Sequence, residues 1–133
     1  MTCTRVYIAG PITIGDQWIN VRQAIRAAEI LHRAGFVPFV PHLDCLWHFL
    51  YPGAPEKWLT WDFEWLVLCH AVYRLPGDSK GADMETARAR KSGIPVFTAI
   101  GDLVEWREQR VKKMEEKEKP WASGPGCAAP PRC

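Results

Sequence analysis

The chain has 133 residues, 47% of them apolar, which suffices for one hydrophobic core and falls short of two. A formal net charge of +2 is too mild to point to polymeric nucleic acid. No apolar run reaches the about 18 residues of a membrane span. Met1 to Gly10 lacks the charged-then-apolar order of a signal peptide, and five irregularly spaced cysteines without a CxxC pair indicate neither a disulfide framework nor a four-cysteine zinc site.

Arg5 to Ala9 (RVYIA) is a β-rich run closed by Gly10-Pro11 and reads as a first strand. Asp16 to Arg33 has apolar residues at helical spacing (Ile19, Ala24, Ala27, Ala28, Leu31), with Asp16 as a candidate N-cap and Gly35 as a stop. Phe36 to Val40 reads as a second strand, placed at a sheet edge because Pro38 offers no ladder donor. Pro41 to Glu56 is expected to be a long irregular loop, and Lys57 to Leu68 a helix. Ala71 to Leu75 is a third strand, Pro76 to Lys80 a turn, Gly81 to Lys91 a helix, Ile94 to Ala99 a fourth strand and Asp102 to about Lys117 a charged helix. From Glu118 the composition shifts to Pro, Gly, Ala and Ser, so 118–133 is expected to be a disordered tail behind a single domain at 1–117. The alternation of elements predicts an α/β fold: a flavodoxin/Rossmann-like three-layer sandwich around a parallel sheet of four to five strands. Ligands of such sheets bind beyond the carboxyl ends of the strands, which gathers Gly10 to Gly15, Pro41 to Glu56 and Pro76 to Glu85 around one crevice.

Four groups of residues carry candidate chemistry. Glu85 follows Gly81-Ala82 at a helix start, where unpaired backbone N–H groups favour anions and an ionised carboxylate suits a nucleophile. Taken locally, the favoured reading is a glutamate that merely complements the helix dipole. Asp62 shares one helical face with Trp58, Trp65 and Cys69. Burial there raises a carboxyl pKa and makes a proton donor; the alternative is a solvated Asp62 at the edge of the stripe. Tyr7 to Pro11 ends a strand in Gly10-Pro11, which permits close approach of a ligand to the backbone, yet neither a GxGxxG nor a GxxxxGKS pattern is present. His42-Leu43-Asp44-Cys45-Leu46-Trp47-His48 fits no standard zinc spacing. Contact of His42 and Trp47 with a flat ligand, or plain packing, are the other readings of that segment.

Together, Tyr7-Ile8-Ala9-Gly10-Pro11, Asp62-Phe63-Glu64-Trp65-Leu66 and Ser79-Lys80-Gly81-Ala82-Asp83-Met84-Glu85 before a Gly-Ile-Pro-Val strand resemble the nucleoside 2-deoxyribosyltransferase superfamily over roughly residues 4 to 100. The look is that of a small branch found in phages and bacteria, related to the 2′-deoxynucleoside 5′-monophosphate N-glycosidases. The resemblance implies that Glu85 attacks the anomeric carbon, that Asp62 assists proton transfer to the leaving base and that Tyr7 lies close to the nucleophile. Serine at position 79, where the transferases tend to carry Asp, implies a 5′-phosphate held by Ser79 with the Gly81 and Ala82 amides, provided that Asp78 points away. Gly10, Pro11, His42 and Trp47 complete the expected substrate contacts, with Trp47, Phe49 and Tyr51 as candidates to stack on the base. His70 departs from the aspartate usual at its position, and the tail shows none of the C-terminal residues with which transferases complete a neighbour's site.

The activity so implied is cleavage of the base–sugar bond in a (deoxy)nucleoside 5′-monophosphate through a glycosyl-Glu85 intermediate, without metal or organic cofactor. Base exchange between nucleosides is one alternative, and a non-catalytic nucleotide-binding sensor is another. The expected partners are a small-molecule nucleotide or nucleoside and further copies of the chain in a homodimer or larger assembly, with neither membrane nor polymeric nucleic acid. The expected location is the cytoplasm, of the host cell if phage-encoded.

Overall fold

A computed structural model describes residues 3–119, so the expected tail lies outside the described residues from position 120 onward. Strand β1 (Arg5–Ala9) is buried at every residue after its first. A strand covered on both faces must be apolar on both, which is why Val6, Tyr7, Ile8 and Ala9 are consecutive rather than alternating with polar residues. Helix α1 (Gln17–Arg33) starts where the Asp16 carboxylate accepts the amides of Trp18 and Ile19. It gives way to Gly35, which holds a left-handed φ of 87°.

Strand β2 (Val37–Phe39) lies at the sheet edge, as Pro38 requires. The stretch expected as a loop is mostly helical instead. A 3-10 turn at Pro41–Leu43 runs into α2 (Asp44–Leu50), and after a short break α3 (Pro55–Leu66) begins with proline at its first turn. Leu46, Phe49 and Leu50 of α2 stay exposed, so the helix carries no clear apolar face in its sequence. Strand β3 (Ala71–Arg74), helix α4 (Lys80–Lys91), strand β4 (Val96–Phe97) and helix α5 (Ile100–Lys117) complete the order.

The sheet has four parallel strands in the order β2-β1-β3-β4, with Tyr7 beside Val72 at its centre. The α/β sandwich is therefore as expected, at the lower strand number. Side chains alternate across β1, so Val6 and Ile8 face one way and pack with Ala24, Ala27, Leu31 and Leu103 of α1 and α5. Tyr7 and Ala9 face the other way and pack with Leu66, Ala82 and Ala89 of α3 and α4. Strand order reverses direction between β1 and β3, and their carboxyl ends open the crevice typical of such a switch point. Among the described residues no helix is long and apolar enough to cross a membrane.

Candidate functional site

Beyond the carboxyl ends of β1 and β3 lies a cavity of about 610 Å³, a size suited to a nucleotide-scale ligand. The loop after β1 forms one wall, with Gly10, Ile12, Thr13 and Ile14. The backbone needs glycine at position 10, because a Cβ there would stand 2.9 Å from Cβ and Cδ1 of Leu75. Gly77 meets the same loop from the other side. It has a φ of +109°, and a Cβ on it would come 3.0 Å from Pro11 Cγ. Asn20 pins the loop by donating to the carbonyls of Ile12 (3.0 Å) and Ile14 (2.8 Å).

Helix α4 supplies the opposite wall through Ser79, Lys80, Gly81, Ala82, Met84 and Glu85. Ser79 is the N-cap, and its hydroxyl oxygen accepts the Ala82 amide at 3.1 Å. The Ala82 amide is therefore committed within the helix, while those of Lys80 and Gly81 have no intrahelical acceptor. Lys80 adds a cation that sequence reasoning passed over. Asp78 is exposed and lies off the wall. Asp83 turns outward to Arg74, whose Nη2 donates to its Oδ1 at 3.1 Å.

In the second turn of α4, Glu85 is buried, at 6% exposure. The Tyr7 hydroxyl, on the facing side of β1, donates to Glu85 Oε1 at 2.7 Å. Burial pushes the Glu85 carboxyl up to about 7, while the Tyr7 hydrogen bond and the Arg74 charge pull it down. Burial first, then the Glu85 and Asp62 charges, drive Tyr7 well above the ordinary phenol range, so it stays protonated and donating.

Asp62 lines the same cavity from α3, with only 5% of its surface exposed. Burial, a hydrogen bond with Asp44 and the charges of Glu85 and Asp44 raise its carboxyl to about 9. Asp44, in the first turn of α2, also lines the cavity. Burial raises Asp44 while its bond to Asp62 lowers it. The sequence marked Asp44 only as part of a histidine-rich segment. A carboxylate that meets another 18 positions away leaves no periodic trace, so the pairing needs the three-dimensional structure.

Tyr7, Gly10, Ser79, Gly81, Ala82, Asp62 and Glu85 are thus brought together, with Pro11 just behind the wall. His42 and Trp47 are not on it. His42 is fully buried and its Nε2 bonds the Pro11 carbonyl at 3.0 Å, so it holds the β1 loop rather than a ligand. Burial lowers its pKa, which keeps the ring neutral and Nε2–H the donor. Trp47 packs edge-on against Trp58 and Trp61, and Phe49 and Tyr51 point to solvent at 72% and 69% exposure.

The aromatic ring on the cavity wall is Trp58, one turn before Asp62, a position the helical face had already signalled. Its Nε1–H donates to Nδ1 of His48, another wall residue, at 2.8 Å. His70 sits at the far end of the sheet, where its Nδ1 accepts the Arg5 amide at 2.9 Å. There it ties down the start of β1 rather than contacting a ligand. Among the described residues no group of three or more His, Cys, Asp or Glu side chains is placed to hold a metal ion.

The family described as Domain of unknown function (DUF4406) matches residues 4–98. No curated protein matches the chain. Among solved structures, the fold is similar to that of a 2-deoxyribosyltransferase from the psychrotolerant bacterium Bacillus psychrosaccharolyticus. The TM-score is 0.52 and the identity 20%, over 70% of this chain and 69% of that one. At that identity the likeness is one of fold.

Proposed function

We propose, for a chain that belongs to the DUF4406 family, that the cavity cleaves the bond between base and sugar of a (deoxy)nucleoside 5′-monophosphate, with 1–117 as the catalytic domain. The observation that carries this reading is the presence in one cavity of two buried carboxyls whose pKa values are raised to different extents. Glu85, held by the Tyr7 hydroxyl at 2.7 Å, ionises near neutral pH, whereas Asp62 keeps its proton to about 9. Divergent pKa values of this kind separate a nucleophile from an acid, as in retaining glycosidases.

In the reading, a Glu85 oxygen bonds to C1′ through an oxocarbenium-like transition state while Asp62 gives its proton to the departing base. Water then releases the sugar from Glu85. The Ser79 hydroxyl, the free Lys80 and Gly81 amides and the Lys80 charge favour a phosphate at the mouth of α4. Trp58 offers a flat apolar face to the base. None of these steps calls for a metal or organic cofactor.

Base exchange is the second reading. The observation in its favour is the shared fold with a 2-deoxyribosyltransferase. A homodimer or larger assembly belongs to the same proposal. Trp61 and Trp65 of α3, 41% and 43% exposed, support it, and light scattering on the purified chain checks it.

The test is incubation with a panel of nucleosides and nucleoside 5′-monophosphates, with and without an added free base, followed by chromatography. Hydrolysis releases free base from a monophosphate without an acceptor. Exchange produces a new nucleoside only when the acceptor is present. A nucleotide that raises the melting temperature while no base appears under either condition contradicts both and leaves the sensor reading.

A further inference from the structure

Asp44 lines the cavity beside Asp62 and plays no part in the reaction just described. We propose that Asp44 is a positioning residue for the acid: its carboxylate accepts a hydrogen bond from the protonated Asp62 and holds Asp62 in the form that delivers a proton to the leaving base. The inference rests on the glycosidase reading for its role in turnover, while the pair itself rests on two carboxyls that line one cavity, each with a buried, unpartnered oxygen.

One oxygen of each carboxyl, Asp44 Oδ2 and Asp62 Oδ1, is buried with no N–H or O–H donor from another described residue. Two ionised carboxylates so placed would repel each other and leave both oxygens unsatisfied, a doubly costly arrangement. One proton between them removes both costs. It resides on Asp62, the more deeply buried of the two, because the only partly buried Asp44 is better able to keep its charge in contact with water.

The other ionisable groups acting on Asp62 do not replace that partner. Glu85 on α4 is an acceptor and an anion, and the Tyr7 hydroxyl on β1 is committed to Glu85. His48, on α2 with Asp44, uses its Nδ1 for Trp58, and Glu56 and Lys80, though on the same wall, are not among the groups that shift Asp62. No cation is among the groups that shift Asp62.

During turnover the Asp62 proton passes to the base nitrogen as the C1′–N bond breaks with its electron pair going to nitrogen, and a Glu85 oxygen bonds to C1′. Asp62 is left ionised beside the Asp44 carboxylate, and their repulsion makes it an effective base. It recovers a proton from the water that attacks C1′ as the bond to Glu85 breaks. Asp44 neither gains nor loses an atom.

The test is carbon-detected NMR titration of the full chain labelled with 13C at the aspartate carboxyls, run beside a pH profile of base release. In the unsubstituted protein one carboxyl is expected to titrate near 9 and to be missing from Asp62→Asn. In Asp44→Asn, which keeps the shape and removes the charge, that carboxyl is expected to titrate about one pH unit lower or more, and the descending limb of kcat/KM to move with it. Asp44→Ser serves as a second variant should the amide disturb folding. An Asp62 carboxyl that titrates at the same pH with and without Asp44 overturns the proposal, whatever the activity. A lowered Asp62 value in Asp44→Asn, together with no base release by the unsubstituted protein, keeps the proton-sharing pair and overturns its catalytic role, and with it the glycosidase reading.

Discussion

Glu85 and Asp62 have the same functional group, similar burial and one cavity, yet their surroundings push them toward different protonation states. Tyr7 and Arg74 work against burial at Glu85, while the groups that act on Asp62 besides burial are both acidic. Between the two values, about 7 and about 9, an ionised Glu85 and a protonated Asp62 coexist, as the proposed nucleophile and acid require. The expected pH profile of kcat/KM is therefore a bell with its ascending limb near the first value and its descending limb near the second. Tyr7→Phe removes a hydrogen bond that lowers the Glu85 pKa, so the ascending limb is expected to move to higher pH and the maximum rate to fall by roughly 10- to 100-fold. A pH series on that variant checks both; an unmoved ascending limb would show that the phenol does not tune Glu85.

At the scale of elements, the amino terminus of α4 does two jobs through Ser79: it caps the helix and faces the proposed phosphate. Aspartate is as good an N-cap as serine, so Ser79→Asp keeps the helix and places a negative charge at the phosphate position. Binding of monophosphates is expected to weaken at least ~10-fold more than binding of the matching nucleosides, with the melting temperature nearly unchanged. Equal weakening of both ligands, measured by calorimetry, would remove the phosphate from this position. Gly10→Ala is expected to lose about 1–3 kcal/mol in denaturant unfolding, because the added methyl meets Leu75 at 2.9 Å.

The sequence made these elements unequally legible. Helix α1 and the strands around β1 stand out through periodicity, the Asp16 cap and glycines at turns. Helix α2 escaped because its apolar residues Leu46, Phe49 and Leu50 stay in water, so no buried stripe marks it. His42 was a polar residue in an apparent loop until its bond to Pro11 showed what it holds. Asp62 could be picked out by its helical face, whereas the meeting of Asp44 with Asp62 is a tertiary event between two helices.

Across the whole molecule, the buried carboxyls make stability depend on pH. A carboxyl whose folded pKa lies above its unfolded value, ordinarily near 4, stabilises the fold fully below that unfolded value and loses the contribution as pH rises through the folded one. Glu85 gives up its share toward about 7 and Asp62 toward about 9. The lowered pKa values of His42 and His70 act in the opposite direction and below the ordinary histidine value of 6.5, so the window from 7 to 9 belongs chiefly to the carboxyls. The melting temperature is expected to fall across that window, and Asp62→Asn to flatten the fall. Calorimetric scans at several pH values check this, and an equally steep fall in the variant would mean that Asp62 is not the buried acid described.

The central claim is that Glu85 is the nucleophile of a base–sugar cleavage. Its most direct test is release of free base from nucleoside 5′-monophosphates by the unsubstituted chain and by Glu85→Gln, side by side at pH 8. The account predicts base release by the former and a loss of at least ~1000-fold in the latter, with nucleotide binding retained. Base release by Glu85→Gln at the unsubstituted rate would contradict it.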